Sequence, residues 1–377
     1  MSRMTLILWL LHVYIGVRLL PDLPFGVAGI SIGCVVLLAS ATLIPYGFNR
    51  RRAAVSGRAK MLMWAGLVAL GAFSTLFVLT ALRDAGLVAA LALAALWPGG
   101  IPVAEYVRWS AVAVPILTAI ATLIGYGNAR RVAKVRTVDV PIASLHPSLA
   151  GFTIAQITDV HVGPTIAREQ VAAIVDVVNG LDADLVAITG DLVDGSVRQL
   201  SHHTAPLAKI AARHGAYFVT GNHEYYSGVE PWIGELRRLG VNVLLNEHVV
   251  IDHDGAHVVV AGVTDPSAHH FVASHRSDPA RAIAGAPTSA MKLLLAHQPR
   301  SAPAAAKAGF DLQLSGHTHG GQFLPWTFFV RFQQPFTAGL ARLGRLWVYT
   351  SRGTGYWGPP QRLGAPSEIT RLRLVPA

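Results

Sequence analysis

Five short stretches of the chain carry side chains that can bind metal ions. Each follows a short apolar run that predicts a buried strand, at residues 152–158, 185–189, 216–220, 291–295 and 311–315. Residues just past the carboxyl ends of strands gather at one edge of an α/β sheet, where ligands bind. We therefore expect the five stretches to converge on one spot. They are Asp159-Val160-His161, Gly190-Asp191, Gly221-Asn222-His223-Glu224, Ala296-His297-Gln298-Pro299 and Gly316-His317-Thr318-His319-Gly320-Gly321-Gln322.

The residue types in these stretches favour a pair of divalent cations. Two aspartates, one asparagine and five histidines supply oxygen and imidazole ligands, which suit borderline or hard cations. The carboxylate of Asp191 has two oxygens and can bridge two cations roughly 3.5–4 Å apart. Two metals held in this way lower the pKa of a shared water and neutralise the oxygens of a phosphoryl group. His223, beside Asn222, is then free to face the leaving oxygen as an acid or a charge stabiliser.

The order and spacing of the five stretches resemble the calcineurin-like metallophosphoesterase superfamily, whose pattern is D-x-H, G-D, G-N-H-D/E, H and G-H-x-H. The resemblance covers roughly residues 151–325. The Gly-Gly-Gln after His319 and the loop at 351–355 resemble a membrane-associated bacterial branch of that family. Some members of that branch are expected to act on lipid-linked or UDP-sugar substrates. The fold that the resemblance implies is an α/β sandwich of four layers, αββα. The mixture of βα units and hairpins along residues 150–377 independently predicts mixed sheets.

The resemblance also implies a role for each matching residue. One metal would be held by Asp159, His161, Asp191 and His319. The other would be held by Asp191, Asn222, His297 and His317, with Asp191 bridging the two ions. His223 and Asp191 would be the catalytic residues, with attack by a metal-bridging hydroxide. The ligand set favours Mn²⁺, with Fe, Zn or Co as alternatives.

Several further residues have two interpretations. Glu224 either orients a neighbouring residue or caps the start of a helix. Arg352, His269 and His270 are candidates for substrate contacts, against ordinary surface or structural roles. A set of aromatic side chains after the last histidine is expected to pack in the core, and the alternative is a lip that dips into a membrane. That set comprises Trp326, Phe328, Phe329 and Phe332.

Composition divides the chain into a membrane part and a soluble part. Hydrophobic residues make up 52% of the chain and charged residues only 14%, with the apolar excess before residue 130. Four runs are long enough to cross a hydrocarbon core of ~30 Å. They predict spans at 4–20, 25–48, 61–82 and 107–126, within an all-α transmembrane domain of residues 1–128. A basic juxtamembrane linker is predicted at 129–149, followed by the catalytic domain at 150–377.

Positive charge predicts the orientation. Basic residues cluster between the second and third spans, at Arg50–Arg52, Arg58 and Lys60, and again after the fourth span, from Arg130 to Arg136. The positive-inside rule places both clusters in the cytoplasm, which requires two crossings between them. The apolar run 87–97 is too short for a further span, so we expect an interfacial piece, a re-entrant piece or a continuation of the third helix.

These observations predict a multi-pass protein of a bacterial inner membrane with a cytoplasmic phosphoesterase domain. The expected substrate is a phosphodiester, pyrophosphate or phosphomonoester at the membrane surface, such as a phospholipid or a lipid-linked nucleotide sugar, and the expected partners are membrane lipids. A tethered nucleotide phosphodiesterase and a non-catalytic signalling protein are the alternatives. The single cysteine, Cys34, allows neither an internal disulfide nor a thiolate metal site. No basic stripe with interleaved aromatics predicts nucleic-acid binding, and no protein partner is identifiable.

Overall fold

The computed structural model describes residues 3–48 and 57–377. The chain forms two compact units. The first comprises Met1–Asn128 together with Gly358–Leu363, and the second comprises Ala129–Trp357 together with Gly364–Ala377. The basic residues Arg50–Arg52 lie outside the described residues, whereas Arg58 and Lys60 lie in the first turn of a helix.

The first unit contains four helices that are long and apolar enough to cross a membrane. They are α1 (Arg3–Leu19), α2 (Gly26–Gly47), α3 (Gly57–Leu96) and α4 (Val103–Arg130). Helix α3 has 40 residues, so it extends about 60 Å at 1.5 Å per residue. The apolar run 87–97 is therefore a continuation of the third helix as far as Leu96, which was one of the three expectations.

Polar side chains in this unit pair with one another. The guanidinium of Arg18 donates to both carboxylate oxygens of Asp84, at 2.8 and 3.0 Å, and Arg83 is buried against Asp22. His12 lies 3.0 Å from the hydroxyl of Ser40, so it links α1 to α2. Polar groups that are satisfied between helices are tolerated in an apolar environment.

The second unit begins with a six-stranded sheet in the order β1-β12-β2-β3-β4-β5. Only the β12–β2 pair is antiparallel. The strands are β1 (Lys134–Ile142), β2 (Thr153–Ile157), β3 (Leu185–Ile188), β4 (Ala216–Phe218), β5 (Asn242–Val243) and β12 (Glu368–Pro376).

The second sheet of this unit also has six strands, in the order β10-β11-β9-β8-β7-β6. Its two edge pairs, β6–β7 and β10–β11, are antiparallel hairpins, and the inner pairs are parallel. The prediction of mixed sheets is confirmed. The strands are β6 (Glu247–His253), β7 (Ala256–Gly262), β8 (Met291–Leu295), β9 (Leu312–Ser315), β10 (Gly339–Leu343) and β11 (Leu346–Thr350).

Helices cover the outer faces of the two sheets, so the second unit has the predicted four layers. In β3, Leu185 and Ala187 face the second sheet, whereas Val186 and Ile188 pack against helices, because side chains alternate along a strand. Ala302 and Ala305 of α10 pack on the outer face of the second sheet. The helices are α5 (Arg168–Asn179), α6 (Val197–Thr204), α7 (Asn222–Ser227), α8 (Val229–Arg238), α9 (Pro279–Ala282), α10 (Ala302–Ala308) and α11 (Trp326–Phe329).

The segment expected to be a basic linker, 129–149, is structured. Strand β1 pairs with β12 along all nine of its residues, from Lys134 to Ile142. Val140 and Ile142 are buried in the core between the sheets, while Arg136 and Asp139 point outward. The alternation of apolar and polar residues is the strand signal that the density of basic residues obscured.

Candidate metal centre

The loops that follow β2, β3, β4, β8 and β9 meet at one end of the second unit, as the strand pattern predicted. The amide of His317 donates to both carboxylate oxygens of Asp159, at 3.0 Å each. The amide of His223 donates to Oδ1 of Asp191 at 2.9 Å. Hydrogen bonds between loops that are distant in the chain hold the candidate ligands in place.

The first candidate group comprises Asp159, His161 and His319. One ligand atom from each lies within 4.8 Å of the others. The Nε2 atoms of His161 and His319 are 3.1 Å apart, and Nε2 of His319 is 3.4 Å from Oδ1 of Asp159. All three residues are buried. Two imidazole nitrogens that face each other beside a carboxylate form a donor set for a divalent cation.

The second candidate group comprises Asp191, His297 and His317. Nε2 of His297 lies 3.1 Å from Oδ2 of Asp191 and 3.2 Å from Nδ1 of His317. The buried Oδ1 of Asn222 has no hydrogen-bond partner within the described residues 3–48 and 57–377. A buried amide oxygen without a donor carries a desolvation penalty. This orphaned oxygen and the clustered donors therefore fit a pair of divalent cations.

Five of the candidate ligands have left-handed backbone conformations, with φ between 50° and 69°. Non-glycine residues pay about 1–2 kcal/mol for this conformation. Such strain is retained where the surrounding structure requires a particular geometry, which is common at functional sites. The five residues are Asp159, His161, Asp191, His317 and His319.

Two glycines next to candidate ligands lie so close to a carboxylate that no side chain fits. A Cβ at Gly316 would lie 2.2 Å from Oδ2 of Asp159, and a Cβ at Gly221 would lie 2.2 Å from Oδ1 of Asp191. Any side chain at either position would push the neighbouring carboxylate away. These contacts explain why a glycine precedes His317 and Asn222.

Hydrogen bonds outside the two groups orient the imidazoles. Nδ1 of His297 donates to the carbonyl of Thr189 at 2.8 Å, which directs Nε2 toward Asp191 and His317. Nδ1 of His161 lies 3.3 Å from Oδ1 of Asp194 and acts as the donor, because the carboxylate can only accept. Second partners of this kind set the tautomer and the basicity of histidine ligands.

Asp194 is a candidate functional residue that the sequence did not predict. Its Oδ1 accepts from Nδ1 of His223 at 2.5 Å, in addition to the contact with His161. Asp194, His161 and His223 also lie close enough to hold an ion, but the short His223 contact is a hydrogen bond, so we interpret Asp194 as a positioning residue. It lies three residues after Asp191, in Gly-Asp-Leu-Val-Asp, and this local pattern does not distinguish it from a solvated loop residue.

Glu224 performs both of the roles that the sequence left open. Its Oε2 accepts from the amide of Gly221 at 2.7 Å, which caps the start of α7. The same oxygen accepts from the amide of Asp191 at 3.0 Å, and Oε1 accepts from Leu192 at 2.8 Å. Burial and the charge of Asp191 raise the pKa of Glu224 to about 8. Glu224 therefore ties the Asp191 loop to the loop that carries Asn222.

The buried charges in the centre perturb one another. Burial by itself raises the pKa of Asp191, but His297, His223 and His161 together lower it well below its usual range. Burial lowers the pKa of His297, but Asp191 overcomes this and raises it well above 6.5. Burial and His297 lower the pKa of His317 to about 3. Neutral His317 and ionised Asp191 have the protonation states that metal binding requires, whereas His297 has to release a proton to a bound metal.

The candidate substrate residues have different surroundings. Arg352 packs against the Gly320 position and pairs with Glu368 at 3.0 Å. His269 lines a cavity of about 290 Å³ together with Arg276 and Arg300. His270 is exposed and contacts His269, with ring centroids 4.0 Å apart and ring planes tilted by 41°.

The amino-acid sequence is similar to those of known proteins. The sequence profile described as calcineurin-like phosphoesterase matches residues 152–321. A Bos taurus protein described as a transmembrane protein with metallophosphoesterase domain is 40% identical over 274 residues, which are 70% of this chain and 62% of that protein. The chain therefore spans less than two thirds of that relative's length.

Two bacterial relatives are covered more completely. An uncharacterized metallophosphoesterase of Campylobacter jejuni is 34% identical over 261 residues, which are 69% of this chain and 68% of that protein. An uncharacterized metallophosphoesterase of Aquifex aeolicus is 33% identical over 219 residues, which are 57% of this chain and 82% of that protein. With the profile match and the converging site, this identity shows that the chain belongs to the calcineurin-like phosphoesterase family.

Proposed function

We propose that the protein is a membrane-anchored phosphoesterase that uses two divalent metal ions to hydrolyse a phosphate ester or pyrophosphate at a membrane surface. The observation that carries the proposal is the convergence of the two ligand groups at Asp191, whose Oδ2 lies 4.0 Å from Nε2 of His161 and 3.1 Å from Nε2 of His297, with His223 beside them. Four apolar helices, and relatives described as transmembrane proteins, support integration into a membrane.

In this proposal the two ligand groups hold one ion each. Asp159, His161 and His319 would hold the first, Asn222, His297 and His317 would hold the second, and Asp191 would be shared between them. When bound, two divalent cations polarise the phosphoryl oxygens and make water acidic enough to act as a nucleophile at neutral pH. Manganese remains our preferred metal, and iron, zinc and cobalt suit the same ligands.

His223 is the proposed proton donor to the leaving oxygen. Its Nδ1–H is held by Asp194, so the ring presents Nε2 to the reaction. Nε2 lies 3.9 Å from Oδ2 of Asp191, the carboxylate that the two proposed ions would share. The side chain is 14% exposed, which leaves it open to a substrate. A proton held at Nε2 can pass to the oxygen that departs from phosphorus.

Exposed aromatic rings beside His223 favour a substrate with an apolar leaving group. The ring centroids of Tyr226 and Trp357 are 5.3 and 5.7 Å from that of His223. Both backbone polar groups of Trp357 are hydrogen-bonded to the side chain of Gln322, at 2.9 Å each. A phospholipid or a lipid-linked nucleotide sugar presents apolar groups of this kind, and the basic residues at the helix ends favour a cytoplasmic site in a bacterial inner membrane.

A tethered nucleotide phosphodiesterase is the second candidate. Exposed tyrosine and tryptophan rings also stack on nucleobases. Tyr226 is 62% exposed and Trp357 is 43% exposed, so both rings have a free face. The two candidates differ in whether the preferred substrate resides in a bilayer or in solution.

The test is hydrolysis by the detergent-purified full-length protein with added Mn²⁺. The substrates are a bis-aryl phosphodiester, an aryl monoester, a dinucleotide and a UDP-linked lipid. Asp191→Ala and His223→Ala are the test variants, and Asp252→Ala and His257→Ala are matched controls, because that pair is about half exposed and remote from the metal centre. We expect turnover to be lost in the first two variants only, with the UDP-linked lipid preferred.

The other outcomes favour the alternatives. A preference for the dinucleotide would favour the tethered nucleotide phosphodiesterase. No turnover by protein with two bound metals would refute the phosphoesterase proposal for these substrate classes. It would favour the non-catalytic signalling role, in which case the cellular role would survive Asp191→Ala.

A further inference from the structure

An aromatic surface next to the metal loop is exposed. Core packing was the expectation for these residues, and it is wrong. Phe328 is 61% exposed and Phe332 is 76% exposed. The rings are contiguous, with centroids of Trp326 and Phe329 5.9 Å apart and those of Phe329 and Phe332 6.5 Å apart. The surface, which we call the aromatic lip, comprises Leu324, Trp326, Phe328, Phe329 and Phe332.

The aromatic lip is built directly on the loop that carries His319. A Cβ at Gly321 would lie 2.4 Å from the amide nitrogen of Thr327. Helix α11 therefore packs against the backbone two residues after His319, at a position where φ is 82° and only glycine fits without strain. The amide of Trp326 also donates to the carbonyl of Phe323 at 2.9 Å. The lip is thus positioned by the same loop as the candidate metal ligands.

The chain segment that carries the aromatic lip has exposed charges of a single sign. Between Asp311 and Glu368 the chain contains no acidic residue and five arginines. Arg352 pairs with Glu368 and Arg362 is buried, so the exposed arginines of this segment are Arg331, Arg342 and Arg345. The guanidinium of Arg331 lies over the ring of Phe332, 5.3 Å from its centroid. Tryptophan, phenylalanine and arginine together are typical of surfaces at the membrane–water interface, where arginine meets anionic headgroups.

We propose that the aromatic lip inserts into the headgroup region of the bilayer that holds the four helices, beside the opening of the metal centre. Contiguous exposed aromatic surfaces mark sites of protein or membrane interaction. Positive charge complements an anionic lipid surface, and only residues 131–133 separate helix α4 from strand β1, so the second unit is tethered directly to the last span. The consequence for substrate choice rests on the proposed function, whereas the lipid contact does not.

The contact can be measured without any activity. The chain has a single cysteine, so Cys34→Ser provides a background for spin labels at Phe328→Cys, Phe332→Cys and Val250→Cys. Val250, on β6, is 43% exposed and serves as the matched control. The full-length protein is reconstituted in vesicles of equal parts phosphatidylethanolamine and phosphatidylglycerol, and the accessibility of each label to oxygen and to a water-soluble nickel complex is compared.

We expect the labels at 328 and 332 to be accessible to oxygen and shielded from nickel, and the label at 250 to be accessible to nickel. Labels at 328 and 332 that nickel reaches as well as it reaches 250 would overturn the proposal. Labels shielded from both reagents would also overturn it, because a second copy of the chain or another protein would then cover the lip.

A second measurement tests the consequence for catalysis. In Phe328→Ser/Phe332→Ser we expect hydrolysis of a vesicle-borne phosphate ester to fall by about tenfold or more, since burial of one aromatic side chain is worth that much. Hydrolysis of the soluble bis-aryl diester should be unchanged, which shows that the variant is folded, and Val250→Ser should change neither rate. Equal loss on both substrates would contradict a role of the lip in lipid access. No hydrolysis of either substrate by the wild type would instead refute the proposed function, and the label result would stand.

Discussion

Removal of the Asp194 carboxylate should impair catalysis more than it impairs substrate binding. Oδ1 of Asp194 accepts hydrogen bonds from Nδ1 of His223 at 2.5 Å and from Nδ1 of His161 at 3.3 Å. The Asp194 side chain is 6% exposed, so water does not replace it readily. Asp194→Ala therefore leaves two imidazole N–H groups without their acceptor, one on the proposed proton donor and one on a proposed metal ligand.

The size of the effect follows from the two contacts. A hydrogen bond to a buried charged acceptor contributes about 1.5–3 kcal/mol. If the His223 contact contributes that amount only in the transition state, kcat should fall by about 10- to 150-fold. Loss of the partner of a metal-ligating histidine lowers metal affinity by about 10- to 100-fold. Asp194→Asn retains Oδ1 as a neutral acceptor for both imidazoles, so its loss in kcat should be about tenfold or less.

The assay is hydrolysis of the bis-aryl phosphodiester across a titration of Mn²⁺, for wild type, Asp194→Ala, Asp194→Asn and the exposed control Asp252→Ala. We expect the Mn²⁺ requirement to increase and kcat at saturating Mn²⁺ to stay reduced, with KM unchanged. If saturating Mn²⁺ restored kcat to within about threefold of wild type, Asp194 would act on the metal alone. The inference that it positions His223 would then be refuted.

Three further changes test other parts of the structure. Asn222→Ala should reduce the bound metal from two ions to one, as measured by elemental analysis. The thermal midpoint of the metal-free protein should stay the same or rise, because the orphaned Oδ1 is removed. Gly321→Ala should displace helix α11, since its Cβ would lie 2.4 Å from the amide nitrogen of Thr327, and the emission of Trp326 should shift; unchanged emission and activity would contradict this packing. In the Cys34→Ser background, an impermeant thiol reagent applied from outside cells should label Pro98→Cys but not Gly57→Cys, and the reverse pattern would refute the proposed orientation.

The predicted candidate ligands could be found from sequence because each one follows a strand directly. Asp191, for example, comes three residues after the last residue of β3, so the direction of the strand decides where it emerges. Asp194 could not be found in this way, because its partners His161 and His223 are about 30 residues away in either direction. A carboxylate in a loop has no local signal that separates a hydrogen-bond acceptor for two imidazoles from a solvated side chain.

Strand β1 and the aromatic lip are two further features that local sequence patterns did not predict. The basic residues of 129–149 suggested a linker, yet β1 joins the sheet because β12, more than two hundred residues later, pairs with it. The apolar residues of the lip suggested core packing, yet Phe332 is 76% exposed, because burial depends on whether another element covers the surface. A local sequence pattern indicates the periodicity of an element, but it does not indicate which other element pairs with it or covers it.

By itself, the sequence determined the family pattern, the four apolar helices, the mixed sheets and the residues available as ligands. These features depend on residue types and short spacings, which translate into strand ends and hydrophobic runs. Only the tertiary structure decided which nitrogen of each histidine faces the centre, that Asn222 has an orphaned oxygen, and that five candidate ligands have left-handed backbones. Those features arise from contacts between loops distant in the chain, whose geometry is determined when both sheets have assembled.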